Sequence, residues 1–261
     1  MADLTRETAR DADASAQTRP GAETWARSIG YEIAYWMITA VFALACTLLA
    51  LAPGRRLVGW GLMMYGSAQV AAMKWIAGIT VEIRGRERLP AEPVVIAAKH
   101  QSWGDGFVML SLVARIAFVA GDHLLKFPLV GRILKKVGAI CLSNQGGEDA
   151  RNRLQAGIAA LKADPRDVLI YPEGHLSAVG AGHPYRSGVW RLYQGLQRPC
   201  TPVATSLGLA WDRQSFFKRK GRVVLEFLEP IAPGMDKAAF MAELERRIET
   251  RTRALEAEGL Q

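Results

Sequence analysis

The hydrophobic pattern divides the chain into two unlike parts. From Ile33 to Ala52 no charged side chain interrupts the run IAYWMITAVFALACTLLALA. A helix of ~20 residues rising ~1.5 Å each spans the ~30 Å hydrocarbon layer of a bilayer. Tyr31, Tyr35 and Trp36 crowd one end, as interfacial aromatics do. Pro53-Gly54-Arg55-Arg56 makes a charged turn, and a second apolar stretch follows from Leu57 to Met73, ending at Lys74-Trp75. Because it contains Ser67 and Gln69, this stretch fits a second span and a re-entrant or interfacial helix equally well. Residues 31–79 are therefore expected to form a membrane-anchoring helical hairpin. Residues 1–30, with little hydrophobic periodicity, are expected to be a flexible cytosolic tail. Ala50-Leu51-Ala52 resembles a signal-peptidase site, but the preceding tail is long and more acidic than basic, which is the wrong leader.

After Thr80 the pattern changes to alternating strands and helices. Pro93–Ala98 is a continuous apolar run, as a strand buried on both faces requires. Helix is expected over Gly106–Ala114, Glu148–Lys162 and Ser187–Gln197, and strand over Arg115–Ala120, Val168–Tyr171, Pro202–Leu207 and Val223–Leu228. Asp236 is expected to cap a final helix that buries Phe240, Leu244 and Ile248. Residues 80–261 thus read as a single α/β domain, a mostly parallel central sheet flanked by helices.

The net charge of +8 calls for an anionic partner. No long Lys/Arg run or nucleic-acid-binding motif is present, and the basic residues gather beside apolar segments, so a membrane surface is favoured over nucleic acid. Cys46, Cys141 and Cys200 have no metal-like spacing and are expected to be free thiols.

Four clusters carry candidate chemistry. In the first, Lys99-His100-Gln101-Ser102-Trp103-Gly104-Asp105, polar residues follow a buried strand directly, where α/β folds bind ligands. Across a tight turn Asp105 can orient one ring nitrogen of His100 while the other takes a proton from a hydroxyl. On its own the pattern equally fits a helix cap beside a loop histidine. Ser102 lacks the Gly-x-Ser-x-Gly context of a hydrolase nucleophile. The second cluster, Tyr171-Pro172-Glu173-Gly174-His175-Leu176-Ser177, also follows a short apolar strand, and Glu173 there can bond a polyol. The third, Lys126-Phe127-Pro128-Leu129-Val130-Gly131-Arg132, suits an anionic group at a membrane edge or a solvated basic helix face. The fourth, Arg198 to Ala204, has two prolines around a small apolar run and reads as scaffold.

The order of the four, His-x4-Asp, Lys-x-Pro, Tyr-Pro-Glu-Gly and Pro-x-x-Pro-Val, resembles the glycerolipid acyltransferase family over about residues 80–230. The resemblance implies an O-acyltransferase of phospholipid biosynthesis acting on 1-acyl-sn-glycerol 3-phosphate to give phosphatidate. In the family the histidine is the general base and the aspartate orients it; these fall on His100 and Asp105. Lys126, with Arg132 in the same basic block, is expected to contact phosphate, and Glu173 and Gly174 to line the acceptor site. Acyl-CoA or acyl-carrier protein is the implied donor, and no metal or other cofactor is required.

The third block departs from the family's usual Glu-Gly-Thr-Arg-Ser, with His175 in place of threonine and Leu176 in place of the phosphate-binding arginine. Leucine removes a charge-assisted contact typically worth about 1.5–3 kcal/mol. His175 and Arg186 are the candidates to replace it. Otherwise the acceptor is a lyso-aminolipid or another lysophospholipid. The resemblance implies a bacterial inner-membrane protein, and Arg55, Arg56 and Lys74 favour an active site facing the cytoplasm.

Overall fold

The computed structural model describes residues 21–113, 115–143 and 146–259. Helix α1 runs over Ala22–Leu49 and α2 over Arg56–Ala72. A π-helical turn, Met73–Ala77, continues α2 and stops at Gly78, whose φ of 77° is a left-handed conformation that glycine adopts without strain. Seven strands follow: β1 (Ile79–Arg84), β2 (Val95–Ala98), β3 (Ala117–Gly121), β4 (Ile140–Leu142), β5 (Val168–Ile170), β6 (Cys200–Thr205) and β7 (Gly221–Phe227). Five helices complete the domain: α3 (Trp103–Leu112), α4 (Pro128–Val137), α5 (Gly147–Ala163), α6 (Gly188–Leu196) and α7 (Lys237–Gly259).

The strands form one sheet in the order β1-β7-β6-β2-β5-β3-β4. Every neighbouring pair is parallel except β6 and β7. β2 lies at the centre with all its residues buried, so its apolar side chains alternate between two cores. Ile96 and Ala98 face a core shared with Tyr31 of α1, Met73 and α3 residues Val108 and Met109. Val95 and Ala97 face the opposite core, filled from α5, α6 and α7 by Leu154, Ile158, Leu192 and Leu244. The hairpin and α3 thus cover one face of the sheet, and α5, α6 and α7 cover the other.

Three expectations need adjustment. Residues 1–20 of the expected tail lie outside the described residues, but Ala22–Gly30 are already helix, so α1 begins inside the segment read as tail. The helix after β2 starts at Trp103, before the expected Gly106, because Ser102 supplies a cap that the hydrophobic pattern does not reveal. β1 and β4 were not anticipated; β4 is only three residues long, too short for periodicity to show.

Both ends of α1 dock on the α/β domain. Near its start the Ser28 hydroxyl accepts from the Lys218 backbone N–H at 2.9 Å, and Glu32 forms an ion pair with the Lys218 side chain. Near its end Cys46 packs with Val58 of α2 and with Ile133 and Val137 of α4. Lys136 Nζ donates to the Ala52 carbonyl at 2.7 Å. Between these attachments the outer face of α1 exposes Ile33, Trp36, Met37, Val41, Leu44 and Leu48.

Candidate active site

β2 delivers the first cluster to the carboxyl edge of the sheet. Its alternation continues past the strand end, sending Lys99 and Gln101 toward α7 and His100 to the opposite side. Ser102 caps α3: its hydroxyl accepts from the Gly104 N–H at 3.1 Å, and the Asp105 carboxylate accepts in return from the Ser102 N–H at 2.8 Å. This reciprocal capping box orients a carboxylate in the first helical turn back toward the preceding loop.

Asp105 Oδ2 therefore lies 3.2 Å from His100 Nδ1. The same oxygen accepts from the Gln101 N–H at 2.7 Å, and Oδ1 receives the Thr205 hydroxyl at 3.4 Å. An oxygen that already accepts two amide N–H bonds makes Nδ1 the protonated ring nitrogen, leaving the Nε2 lone pair free. Asp105 is thus both a cap and the orienting group, two roles that the sequence presents as alternatives.

The His100 ring stacks on Tyr171, with centroids 3.8 Å apart and an interplanar angle of 15°. The Tyr171 hydroxyl is buried without a hydrogen-bond partner. Burial, and then the nearby Asp105 charge, push its pKa well above the usual tyrosine value, so it remains a neutral wall.

The second cluster departs from expectation. Glu173 does not open onto an acceptor site; only 1% of it is exposed. Its Oε2 meets Lys99 Nζ at 3.2 Å, accepts from the His183 N–H at 2.8 Å and is bonded by the Ser177 hydroxyl. Gly174, at φ 71°, forms the turn beneath the Arg186 side chain, where an added Cβ would fall 2.8 Å from Arg186 Nε. Arg186 Nη2 lies 3.4 and 3.5 Å from the two ring nitrogens of His175, and His175 pairs with His183 at 5.7 Å between centroids. The three basic side chains are exposed together beside the turn that follows β5.

Lys126 ends the 3-10 turn after β3, and Arg132 lies on the outer face of α4; both are exposed. β3 is two strands from β2, roughly 10 Å at ~4.8 Å per strand. These two cations share the carboxyl edge with His100 but belong to a separate part of it. Sequence reasoning did not assign site positions to Tyr171, Thr205 or Lys99. For Lys99 a signal existed, since a charge at the end of a fully buried strand requires a buried partner.

A cavity of about 240 Å³ lies on the hairpin side of this loop, walled by Tyr35, Trp36, Trp103, Trp211 and Phe216, with Glu32 at its margin.

The fold is a mostly parallel α/β sheet with a His–Asp pair at the carboxyl end of its central strand, where folds of this class bind their ligands. Over residues 80–206, just under half of its length, the chain matches the family model described as Acyltransferase. It is 29% identical over 175 residues to a Pseudomonas aeruginosa protein named 1-acyl-sn-glycerol-3-phosphate acyltransferase, covering 67% of this chain and 68% of that one. It is also 29% identical over 98 residues to a lyso-ornithine lipid O-acyltransferase of the same species, covering 38% of this chain and 37% of that one. Its fold matches the crystal structure of the 1-acyl-sn-glycerophosphate (LPA) acyltransferase PlsC from Thermotoga maritima with a TM-score of 0.74. That similarity covers 88% of this chain and 97% of the other, at 20% identity.

Proposed function

We propose that the chain transfers a fatty acyl group from an acyl thioester to the free hydroxyl of a lysolipid, with 1-acyl-sn-glycerol 3-phosphate as the leading acceptor and phosphatidate as the product. The observation that carries this reading is the 3.2 Å contact between His100 Nδ1 and Asp105 Oδ2, which leaves Nε2 as the base. Nε2 removes the acceptor hydroxyl proton as the oxygen attacks the thioester carbonyl carbon. The C–S bond then breaks, and the departing thiolate takes the proton back from the imidazolium. No acyl-enzyme forms, and Asp105 stabilises the transient positive charge. Base catalysis of this kind contributes on the order of 10²–10⁴-fold. Acyl-CoA or acyl-carrier protein serves as donor.

The hairpin supports a membrane substrate. With both ends of α1 attached to one face of the α/β domain, the reading that fits is a helix lying in one leaflet, not one crossing to the other side. The aromatic cavity between hairpin and catalytic loop gives the acceptor's acyl chain apolar walls. In a bacterial cell the site then faces the cytoplasm from the inner membrane.

The second reading, a lyso-aminolipid acceptor, is favoured by Leu176 and by the similarity to the lyso-ornithine lipid enzyme. On the leading reading Arg186, set against His175 beside Gly174, supplies the anion contact missing at Leu176. The test is acyl transfer from a labelled acyl thioester to lysophosphatidate, other lysophospholipids and a lyso-aminolipid, run beside His100→Ala. Preference for lysophosphatidate, with a loss of at least ~10²-fold in the variant, supports the leading reading. Transfer confined to a lyso-aminolipid supports the second, and no transfer to any acceptor rejects both.

A further inference from the structure

α7 lies outside the segment that matches the family, yet it grips the residues on either side of His100. The Lys99 ammonium, buried beside the base, contacts both carboxylate oxygens of Glu249 at 2.9 and 3.1 Å and donates to the Ala181 carbonyl at 3.0 Å. The Tyr185 hydroxyl donates to the same Glu249 at 2.9 Å. On the other side, Gln101 Nε2 donates to Glu256 Oε1 at 2.5 Å, while its amide oxygen accepts from the Gly208 N–H at 3.4 Å. Glu256 also accepts from the Gly180 N–H at 3.2 Å, and the Ser177 N–H donates to the His100 carbonyl at 2.8 Å. Glu249 and Glu256 are about two turns apart and share one face of α7.

These carboxylates are not needed to dock the helix. Phe240, Leu244, Ile248 and Leu255 are fully buried and already fasten α7 to the sheet. Buried charges often hold elements together no better than apolar residues of similar size. What they add is direction, because a hydrogen bond fixes distance and angle where apolar contact does not. The place where that matters is His100, since a misplacement of ~1 Å at a reacting group can cost ~10²-fold in rate.

We propose that α7 is a positioning element for the acyl-transfer base, with Glu249 and Glu256 holding the His100 backbone through Lys99 and Gln101. The inference rests on the reading of His100 as the base. None of the four residues is a catalytic residue; each acts through the placement of the imidazole.

The test compares wild type, Glu256→Ala, Glu256→Gln, Gln101→Ala and the Glu256→Ala/Gln101→Ala double variant, with His100→Ala as control. Kinetics are run with the full chain at a temperature where each variant's own thermal melt shows it folded. Glu256→Ala and Gln101→Ala are expected to lose about ten-fold in kcat, a fraction of the misplacement limit, with KM for donor and acceptor within about two-fold. The double variant should be no slower than either single one, because both remove the same bond. Glu256→Gln keeps an acceptor oxygen and should recover kcat to within about three-fold of wild type. Should Glu256→Ala fail to fold, Gln101→Ala decides by the same criteria. A rise in KM at constant kcat, additive losses, or a Glu256→Gln variant as slow as Glu256→Ala overturns the proposal. Inactive wild type, or active His100→Ala, sinks the reading of the base and this inference with it. Unchanged Glu256→Ala beside a dead His100→Ala sinks the inference alone.

Discussion

Among the described residues two lysines are essentially inaccessible to solvent, Lys99 beside His100 and Lys218 under the hairpin, and their surroundings differ in kind. Lys99 is neutralised by charge: Glu173 and Glu249 both reach its ammonium, with side-chain exposures of 1% and 17%. Lys218 has a single carboxylate, Glu32, which is 30% exposed, and is otherwise held by the Ser215 and Phe216 carbonyls. Its ammonium also faces the rings of Trp211 at 4.7 Å, Tyr31 at 5.3 Å and Phe216 at 5.7 Å. Each lysine ties a flanking helix to the loops of the sheet, α7 in one case and α1 in the other. The difference lies in what remains if the lysine is removed: Glu173 cannot reach water, whereas Glu32 can.

The sharpest way to break this comparison is Lys99→Met. Two carboxylates are then left facing each other in the interior, and removing one partner of a buried pair costs about 3–5 kcal/mol. Denaturant unfolding should show a loss of that size, and kcat should fall on the order of 10²-fold through displacement of His100. A variant with near wild-type stability and rate would mean that Lys99 is not the keystone of the loop.

Lys218→Met should do less. Glu32 is rehydrated, and the lost cation–π and ion-pair contacts amount to about 1–2 kcal/mol after solvent screening. Because the Lys218 contacts are to Ser28, Glu32, Ser215, Phe216 and the neighbouring rings and not to His100 or Asp105, kcat should stay within about three-fold on a detergent-dispersed acceptor. A pH signature should accompany it. Burial pushes the Lys218 ammonium below the usual lysine value, with the Glu32 contact opposing. Between that lowered value and about 10.4 the unfolded chain binds more protons than the folded one, so this lysine makes stability rise with pH across that window. Stability profiles of wild type and Lys218→Met should differ by that upward slope. Equal stability losses in the two variants, or parallel profiles, would erase the distinction between the two sites.

How far these regions could be read from sequence follows from the range of the interactions that build them. The pairing of His100 with Asp105 is local, so a polar cluster after a buried strand made it a candidate, and the order of the four clusters set it above the helix-cap reading. The final helix and its Asp236 cap were equally legible; Asp236 Oδ1 accepts from the Ala238 and Ala239 N–H groups at 2.9 and 3.0 Å. Glu173 was misjudged because Pro-Glu-Gly shows a turn but not what the carboxylate faces, and its partner Lys99 is 74 residues earlier. Glu249 and Glu256 were invisible for the same reason, since on a helix that reads as amphipathic they look like two more solvated acids. Lys218 lies in a loop with no periodicity, and its partner Glu32 is 186 residues away. Leu176 could be seen as a departure from pattern, but only the fold shows Arg186 and His175 set together beside Gly174.

The smallest expected effect concerns the wall behind His100. Tyr171 touches His100 through its ring and leaves its hydroxyl buried without a partner, so ring and hydroxyl can be separated by Tyr171→Phe. If the ring alone positions the imidazole, kcat should stay within about two-fold of wild type, in contrast to the loss expected from Lys99→Met. Removing an unpartnered buried hydroxyl relieves a desolvation cost of about 1–3 kcal/mol, partly offset by the small void left behind. Thermal unfolding should therefore occur at an unchanged or slightly higher temperature. A clear drop in kcat would give the hydroxyl a part in placing His100 or Asp105, and the charged grip from α7 would then share the positioning of the base with the stacked ring.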